Sequence, residues 1–411
     1  MKNFDNYLKK YAELLVATGI NVSEGHTVLL NIDVDQAPLA RLITEAAYAR
    51  GAKKVVVKWS DDQIQRTHFE NQDKETLADI PDYEVEESDY FIEEGASRIS
   101  VRSTDPDAFG GIDSAKISAY QKAMGAAKKN MREATQANRV SWLVAAAAGE
   151  KWAAKVFPEL ETSEEQVDAL WDAIFKSVHL YEEDPIAYWE KKVEVLQDKA
   201  DQLNQEKFMA LHYQAPGTDL MLGLPKNYRF EGAGSTNARG EVFVANMPTE
   251  EVFSAPDAHR VDGVVVSTKP LSYAGSILEN MEFHFKDGKV VECSAEKGEA
   301  ILKDLIQLDE GASHLGEVAL VPHSSPISQS GLTFFNTLFD ENASNHLALG
   351  SAYAFNLQGG ESMTEDELKV AGLNRSNTHV DFMVGSAEMN IDGIKEDGTR
   401  IPVFRNGEWA I

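Results

Sequence analysis

The sequence predicts an α/β N-terminal domain with a largely parallel sheet, followed by a strand-rich α+β C-terminal domain. In the first half, apolar strand-like runs alternate with amphipathic helices, which is typical of a parallel sheet. Beyond about residue 207, short strands separated by Gly, Pro and Asn turns predominate. We therefore place the domain boundary between 207 and 208, which gives domains 1–207 and 208–411. A chain of 411 residues is long enough to form two separate cores.

The first domain is predicted from a β-α-β unit near its start. The run TVLLNID reads as a buried strand, and the helix that follows it ends before Gly51. The loop after this strand, VDQAPLA, contains no glycine, so neither a dinucleotide fingerprint nor a phosphate-binding loop is present. We assign this domain to scaffolding, access control and dimer contacts. The predicted strands lie at 27–33, 53–59, 97–104 and 139–146, and the predicted helices at 37–50 and 114–136.

Turn signals define the strands of the second domain. In MEFHFKDGKVVEC the pair Asp287-Gly288 separates two alternating runs, which predicts a β-hairpin. The Gly-rich segment 231–240 lacks the Lys-Ser/Thr ending of a phosphate loop, and we interpret it as a hairpin or surface turn. The histidines His212, His259, His284 and His323 are interpreted as structural.

Composition limits the partners of the chain. Its 67 acidic and 39 basic residues give a net charge of −28, which disfavours nucleic acid and anionic membranes. A single cysteine, Cys293, excludes an intrachain disulfide and a thiolate zinc site. The N-terminus MKNFDNYLKKYAELL has no uninterrupted apolar core and therefore does not read as a secretory signal. These features predict a cytoplasmic protein.

Four stretches of the second domain gather chemically active side chains. NMPTEEVFSAP places two adjacent carboxylates, Glu250 and Glu251, at a probable strand end, and spacing alone does not choose between them. SHLGEVALVP places Glu317 at the start of an apolar strand, where a carboxylate must find partners because burying it unpaired is costly. NTHVDFMVGS reads as a strand, on which His379 and Asp381, two residues apart, share a face.

The remaining stretch is LFDENASNHLALGSAY, which offers Glu341, His346 and Tyr353. The last two are seven residues apart on a predicted helix, so they share a helix face. Together the four stretches supply about four carboxylates and two histidines, too many oxygen donors for one closed tetrahedral site. The set fits two divalent ions that share a bridging carboxylate and a water molecule. No His-Glu-x-x-His is present, which excludes the single-zinc helix motif.

These four stretches, in this order, closely resemble the aminopeptidase T / aminopeptidase S family of bacterial metallo-aminopeptidases. The N-terminal segment YAELLVATGINVSEGHTVLL also resembles the start of that family. The resemblance implies a cytoplasmic homodimer that removes N-terminal residues from peptides with a free N-terminus, using two divalent ions (zinc, cobalt, manganese or magnesium). It implies as metal ligands Glu251, Glu317, Glu341, His346, His379 and Asp381, and as an active-site residue Tyr353.

We further predict that Glu317 bridges the ions, that Tyr353 donates a hydrogen bond to the tetrahedral oxyanion, and that Glu250 is the general base. Two alternatives remain at this point. One is a two-metal hydrolase of another bond, an ester or amide of a small molecule. The other is a non-catalytic metal-binding protein, although structural zinc sites usually include cysteine.

Overall fold

Helices and strands alternate along the first half of the chain in the computed structural model, which describes residues 1–103, 105–273 and 276–411. The strand predicted at 27–33 has those bounds, and the other predicted strand ends there differ by at most three residues. Residue 104, the end of one predicted strand, lies outside the described residues. The elements of this half are α1 (Phe4–Leu14), β1 (Thr27–Asp33), α2 (Ala37–Ala49), β2 (Lys54–Ser60), α3 (Asp62–Asn71), α4 (Lys74–Ala78), α5 (Asp82–Glu93), β3 (Ser97–Arg102), α6 (Ser114–Ala127), α7 (Lys129–Gln136), β4 (Trp142–Ala146), α8 (Glu150–Val156), α9 (Ser163–Ser177) and α10 (Pro185–Glu206).

Short strands predominate in the second half, as the turn signals predict. Among the described residues, no helix is both long and apolar enough to cross a lipid bilayer. The elements of this half are β5 (Ala210–Ala215), β6 (Thr218–Gly223), β7 (Gly234–Thr236), β8 (Val242–Val244), β9 (Val252–Ser254), β10 (Val261–Val266), β11 (Leu271–Tyr273), β12 (Ser276–Leu278), β13 (Glu282–Lys286), β14 (Lys289–Ser294), α11 (Glu299–Leu305), β15 (Leu315–Leu320), α12 (Pro326–Ser330), α13 (Thr337–Asp340), β16 (His346–Gly350), α14 (Glu365–Val370), β17 (His379–Met383), β18 (Asn390–Ile394), β19 (Arg400–Arg405) and β20 (Glu408–Trp409).

The chain divides into two compact units. The first comprises residues 1–190 and 234–247, and the second comprises residues 191–233 and 248–411. The first unit therefore ends within α10, upstream of the boundary predicted at 207/208. The β7–β8 hairpin groups with the first unit, although the sequence places it in the second domain.

The first unit contains a parallel four-stranded sheet in the order β2-β1-β3-β4. Helical crossovers explain the parallel pairing, because strands in the same direction cannot be joined by a tight turn. The apolar residues of β1 are almost fully buried, as expected for a strand with helices on both faces. On one face, Phe91 of α5 and Met131 of α7 pack against Leu29. This sheet confirms the α/β class predicted for the N-terminal domain.

The second unit contains two larger antiparallel sheets. One has eight strands in the order β14-β13-β10-β6-β5-β18-β19-β20, and the other has four in the order β17-β16-β15-β9. Both contribute apolar side chains to one continuous core, which also receives Leu196 and Leu203 from α10. This arrangement confirms the strand-rich α+β class predicted for the second domain.

The turn between β13 and β14 is the predicted hairpin. Lys286 pairs with Lys289 across it, and Asp287 and Gly288 both have positive φ, 49° and 84°. Positive φ at both central residues is the backbone of a type I′ turn, whose twist suits a two-residue hairpin. A β-carbon on Gly288 would lie 1.9 Å from the carbonyl oxygen of Ala258. The Asp-Gly signal was therefore sufficient to place this turn.

Replacing Gly288 by Ala is expected to destabilise the second unit more than the same change at Gly398. Gly398 also has a positive φ, 82°, but a β-carbon there would meet nothing within 4 Å. Gly398→Ala should therefore lower the free energy of unfolding by only about 1–2 kcal/mol, the cost of placing alanine in the left-handed conformation. Gly288→Ala adds a steric overlap worth a further ~1–3 kcal/mol. Urea unfolding of both variants measures the difference, and equal losses of stability would contradict the close approach to Ala258.

Candidate metal centre

One face of the sheet β17-β16-β15-β9 carries most of the predicted ligands. Paired residues of antiparallel strands share a face, and the register places Glu317 opposite Ala348 and Ala348 opposite Asp381. His379, two residues before Asp381, lies on the same face opposite Gly350. The polar face thus carries Glu317, His346, His379 and Asp381. The opposite face is apolar, and its residues Val318, Leu320, Leu347, Leu349, Val380 and Phe382 belong to the core.

The helix predicted to carry His346 and Tyr353 is not present, and that prediction was wrong. His346 begins strand β16, and Tyr353 lies beyond the end of this strand. The stretch HLALG is buried throughout, and an apolar run of this length cannot be assigned to helix or strand by its periodicity. Pairing with β15 and β17 decides for the strand. Gly350 ends it with a φ of 110°, which a helix does not allow.

A β-bulge at Gly316 directs Glu317 to the polar face. Leu315 pairs with Leu349 and Glu317 with Ala348, so the register shifts between them. The extra residue changes the alternation, and Leu315 points into the core while Glu317 points to the site. A β-carbon on Gly316 would lie 2.2 Å from the carbonyl oxygen of Gly350, so only glycine fits without displacement.

The donor atoms form two groups that share Glu317. In the first group, His346 Nε2 lies 3.2 Å from Glu251 Oε2 and 3.5 Å from Glu317 Oε1. In the second, His379 Nε2 lies 3.6 Å from Glu317 Oε2 and 3.4 Å from Asp381 Oδ1. Within each group the three donor atoms lie within 4.8 Å of one another. Each oxygen of Glu317 thus faces a different group of donor atoms.

Both histidines present Nε2 to the centre because Nδ1 is used elsewhere. His379 Nδ1 lies 2.7 Å from the carbonyl oxygen of Ser351, and His346 Nδ1 lies 3.2 Å from that of Ser344. A carbonyl oxygen only accepts, so each Nδ1 carries the hydrogen and donates it. In the neutral rings Nε2 then holds a lone pair directed at the carboxylates. This is how metal-binding histidines are usually oriented.

Two buried oxygens of the centre lack hydrogen-bond partners. Glu251 Oε2 and Asp381 Oδ1 make no hydrogen bond to any described residue, although each lies within ion-pair distance of an imidazole. A buried carboxylate oxygen without a partner is costly, and buried charges are normally paired or coordinate metals. Carboxylate oxygens and imidazole nitrogens are donors that zinc, cobalt and manganese accept. The residues of the site therefore fit divalent cations.

The electrostatics of the centre also favour cations. Burial raises the pKa of the Glu317 carboxyl, and the neighbouring imidazoles of His346 and His379 only partly offset this rise, to which Asp381 and Glu251 also contribute. Burial lowers the pKa of His379, but the Asp381 and Glu317 carboxylates, with the hydrogen bond to the Ser351 carbonyl, together raise that pKa to about 10. Burial likewise opposes the charged form of His346, yet Glu251 and Glu317 hold its pKa well above the usual range. The negative potential of the carboxylates thus favours positive charge at this centre.

Glu341 and Tyr353 lie beside the two donor groups. Glu341 begins a short 3-10 helix, Glu341–Ala343, and belongs to neither group. Burial raises the pKa of Glu341 well above its usual range, and the charges of Asp381 and Glu251 raise it further. Burial also raises the pKa of Tyr353, as do Glu317 and Asp381. The Tyr353 ring lies 5.4 Å from that of His379, which places the phenol next to the centre.

Glu250 belongs to neither donor group, and its carboxylate pairs with a buried lysine. Glu250 Oε1 lies 2.5 Å from Lys192 Nζ, and the Glu250 amide donates to Asn342 Oδ1 at 2.7 Å. Three residues of this region were not predicted from the sequence: Lys192, Asn342 and Gly316. The glycine could have been found, because an isolated Gly within a strand pattern indicates a bulge. Lys192 lies on a helix of ordinary charged pattern, which gives no such signal.

Residues 4–409 match the family model described as thermophilic metalloprotease (M29). The chain belongs to this M29 family. M29 relatives with curated names include aminopeptidase PepS of Streptococcus thermophilus, 57% identical over 411 residues, and aminopeptidase AmpS of Bacillus subtilis (strain 168), 50% identical over 410 residues. In both cases the match covers 100% of each chain. The predicted resemblance is confirmed: the chain is a hydrolase, an aminopeptidase of the M29 family, and the family implies a divalent metal.

The fold of the chain is similar to those of two solved structures. Wild-type AmpT from Thermus thermophilus has a TM-score of 0.93 and 40% identity, and the match covers 99% of this chain and 100% of that one. A 2,5-dihydroxypyridine dioxygenase from Pseudomonas putida KT2440 has a TM-score of 0.53 at 12% identity, over 98% of this chain and 96% of that one. The second likeness shows a shared fold alone, because one fold can host unrelated chemistry.

The Gly316 bulge predicts that Gly316→Ala weakens metal binding. The added methyl group must displace either Gly350 or the Glu317 strand, and loss of orientation around a ligand typically costs roughly 10–100-fold in metal affinity. Titrating metal-depleted protein with Co²⁺ and following its visible absorption measures the affinity. Gly331→Ala is the control, since a β-carbon there meets nothing within 4 Å. Equal Co²⁺ affinity in the two variants would contradict the role of the bulge.

Proposed function

We propose that this aminopeptidase removes the N-terminal residue of peptides through a dinuclear divalent-metal site. The observation that supports this proposal is the shared position of Glu317, whose two oxygens face separate groups of three donors. Glu341 is proposed as a further ligand, because it lies within the same field of buried carboxylates. The proposed ligands are Glu251, Glu317, Glu341, His346, His379 and Asp381.

The proposed cofactors are two ions of zinc, cobalt, manganese or magnesium per chain. When bound, they would polarise the scissile carbonyl and lower the pKa of a water molecule from 15.7 toward ~7. The protein holds the metal-donor atoms in two separate groups. It also orients both imidazoles through the hydrogen bonds that Nδ1 donates to main-chain carbonyls. The carboxylates also supply negative charge that the protonated α-amino group of a peptide requires, which favours cleavage at the N-terminal residue.

Tyr353 is proposed to stabilise the transition state of hydrolysis rather than to bind an ion. Its pKa is raised, so the phenol keeps its hydrogen and can donate it. A hydrogen bond to the oxyanion that develops on the scissile carbonyl is the role this donor supports. The role of general base for Glu250 stays a prediction, and its ion pair with Lys192 supports a different role, that of positioning the neighbouring residue.

The chain is further proposed to act as a cytoplasmic homodimer. The single cysteine favours this location, because disulfides are rare in a reducing compartment. Peptides with a free N-terminus are the proposed substrates, and nucleic acid is not an expected partner.

Removing metal is expected to abolish hydrolysis of an aminoacyl chromogenic amide, and adding Co²⁺, Zn²⁺ or Mn²⁺ should restore it. Metal content measured by atomic emission should reach two ions per chain as activity returns, since two donor groups share Glu317. His379→Ala and Asp381→Ala should lower both metal content and activity while the circular dichroism spectrum is retained. Activity that survives complete metal removal would rule out the mechanism, and a single inert ion would favour a non-catalytic metal-binding protein.

Tyr353→Phe tests the oxyanion role separately from metal binding. Removing one oxyanion donor typically lowers kcat about 10²–10³-fold. The metal content and the peptide KM should stay close to wild type, because the phenol is not a proposed ligand. Phe355→Leu is the control, since Phe355 stacks on Tyr353 with ring centroids 5.2 Å apart but has no hydroxyl. A kcat for Tyr353→Phe equal to that of the wild type would contradict the proposed hydrogen bond from Tyr353 to the oxyanion.

A further inference from the structure

The environment of Glu250 is not that of a free carboxylate. Its side chain is only 8% exposed, and the Lys192 side chain that faces it is 10% exposed. The Lys192 ammonium and the Glu250 carboxylate are thus largely removed from water at 2.5 Å. Burial opposes the charge on Lys192, and the Glu250 carboxylate partly offsets this, so its pKa remains lower than usual. Glu250 is therefore held in a buried ion pair with Lys192.

The main chain of Glu250 is held as firmly as its side chain. Its amide donates to Asn342 Oδ1 at 2.7 Å, and Asn342 is fully buried. Asn342 Nδ2 donates to the carbonyl oxygen of Leu338 at 3.0 Å and lies 3.5 Å from Glu341 Oε1. Asn342 therefore links the segment that bears Glu251 to the short helix that bears Glu341.

Glu251 needs such support because it lies outside the sheet ladder. Strand β9 pairs with β15 from Val252 onward, so Glu251 precedes the first paired residue. Its Oε2 has no hydrogen-bond partner among the described residues. Its Oε2 faces the His346 imidazole at 3.2 Å, whereas the nearby Glu317 carboxylate repels it. The main chain before Val252 must therefore be held by contacts outside the sheet ladder.

We propose that Lys192, Glu250 and Asn342 form a positioning unit that fixes the Glu251 carboxylate in the metal centre. Lys192 holds the Glu250 side chain and Asn342 holds the Glu250 amide. These two contacts thereby fix the position of the adjacent Glu251 carboxylate. Lys192 also neutralises Glu250, so this carboxylate neither competes with Glu251 for an ion nor adds repulsion. The inference rests on the proposed function, since it presumes that Glu251 is a ligand.

Lys192→Met and Glu250→Gln test the unit, with Lys191→Met as the matched control. Lys191 is the preceding residue of the same helix and is exposed. Competition with a chromogenic chelator gives the affinity for each of two Co²⁺ ions, and the visible absorption of bound Co²⁺ reports the ligand geometry. Thermal melts of the metal-free proteins provide the folding control.

The expected result is a selective effect on one of the two ions. Lys192→Met and Glu250→Gln should each weaken the affinity for that ion by roughly 10–100-fold and alter the Co²⁺ spectrum. Combining them should cost less than the product of the two single effects, because both act through one interaction. Lys192→Arg, which keeps the cation, should restore most of the affinity, and Lys191→Met should match the wild type.

Two results would overturn the inference. One is a wild-type spectrum and affinity for both ions in Lys192→Met and Glu250→Gln. The other is a Glu250→Gln protein with a large loss of kcat but unchanged Co²⁺ binding, which identifies Glu250 as the general base. If Lys192→Met does not fold, Glu250→Gln and Lys192→Arg still decide the matter. Wild-type protein that binds no pair of ions would instead refute the proposed function, so the two failures are distinguishable.

Discussion

Apolar contacts of Leu347, Val380 and Phe382 in the core fix the strands whose other face carries the candidate metal centre. Each such side chain contributes roughly 1.5–3 kcal/mol when fully buried. These contacts offset the cost of gathering carboxylates away from water, which no single hydrogen bond could supply. The site is thus rigid because the opposite face of the same sheet packs in the hydrophobic core. Side chains alternate between the two faces of a strand, so fixing the apolar ones also fixes the polar ones.

Polar side chains around the centre continue this support where the sheet ends. Asn345 accepts a hydrogen bond from the Val321 amide, and its carbonyl accepts from Val384, so it joins the ends of two ligand-bearing strands. Asp340 accepts from the amides of Phe334 and Asn336 and shapes the turn before Glu341. The segment FDENASNH is rich in polar residues because its buried amides need partners at sites that no strand provides.

Local patterns in the sequence were sufficient for much of the fold and part of the site. The alternation in THVDFM placed His379 and Asp381 together, and the Asp-Gly pair placed a hairpin. Non-local pairing decided the rest: HLALG is a strand only because β15 and β17 flank it. Lys192 and Glu250 are 58 residues apart, and no spacing rule connects them. The shared Glu317 likewise depends on a bulge whose effect is visible only in the pairing register.

Both imidazoles take their orientation from the main chain. The acceptors at Nδ1 are carbonyl oxygens of Ser344 and Ser351, not side chains. In many metalloenzymes an aspartate or glutamate fills this position, and a single codon change can remove it. Here the acceptor is a main-chain carbonyl, which remains when either serine is substituted. A point mutation at these positions therefore does not remove the acceptor that keeps the hydrogen on Nδ1 of each ring. The residues around this centre can therefore change during evolution, while Nδ1 of each ring continues to donate to the main chain and Nε2 continues to face the centre.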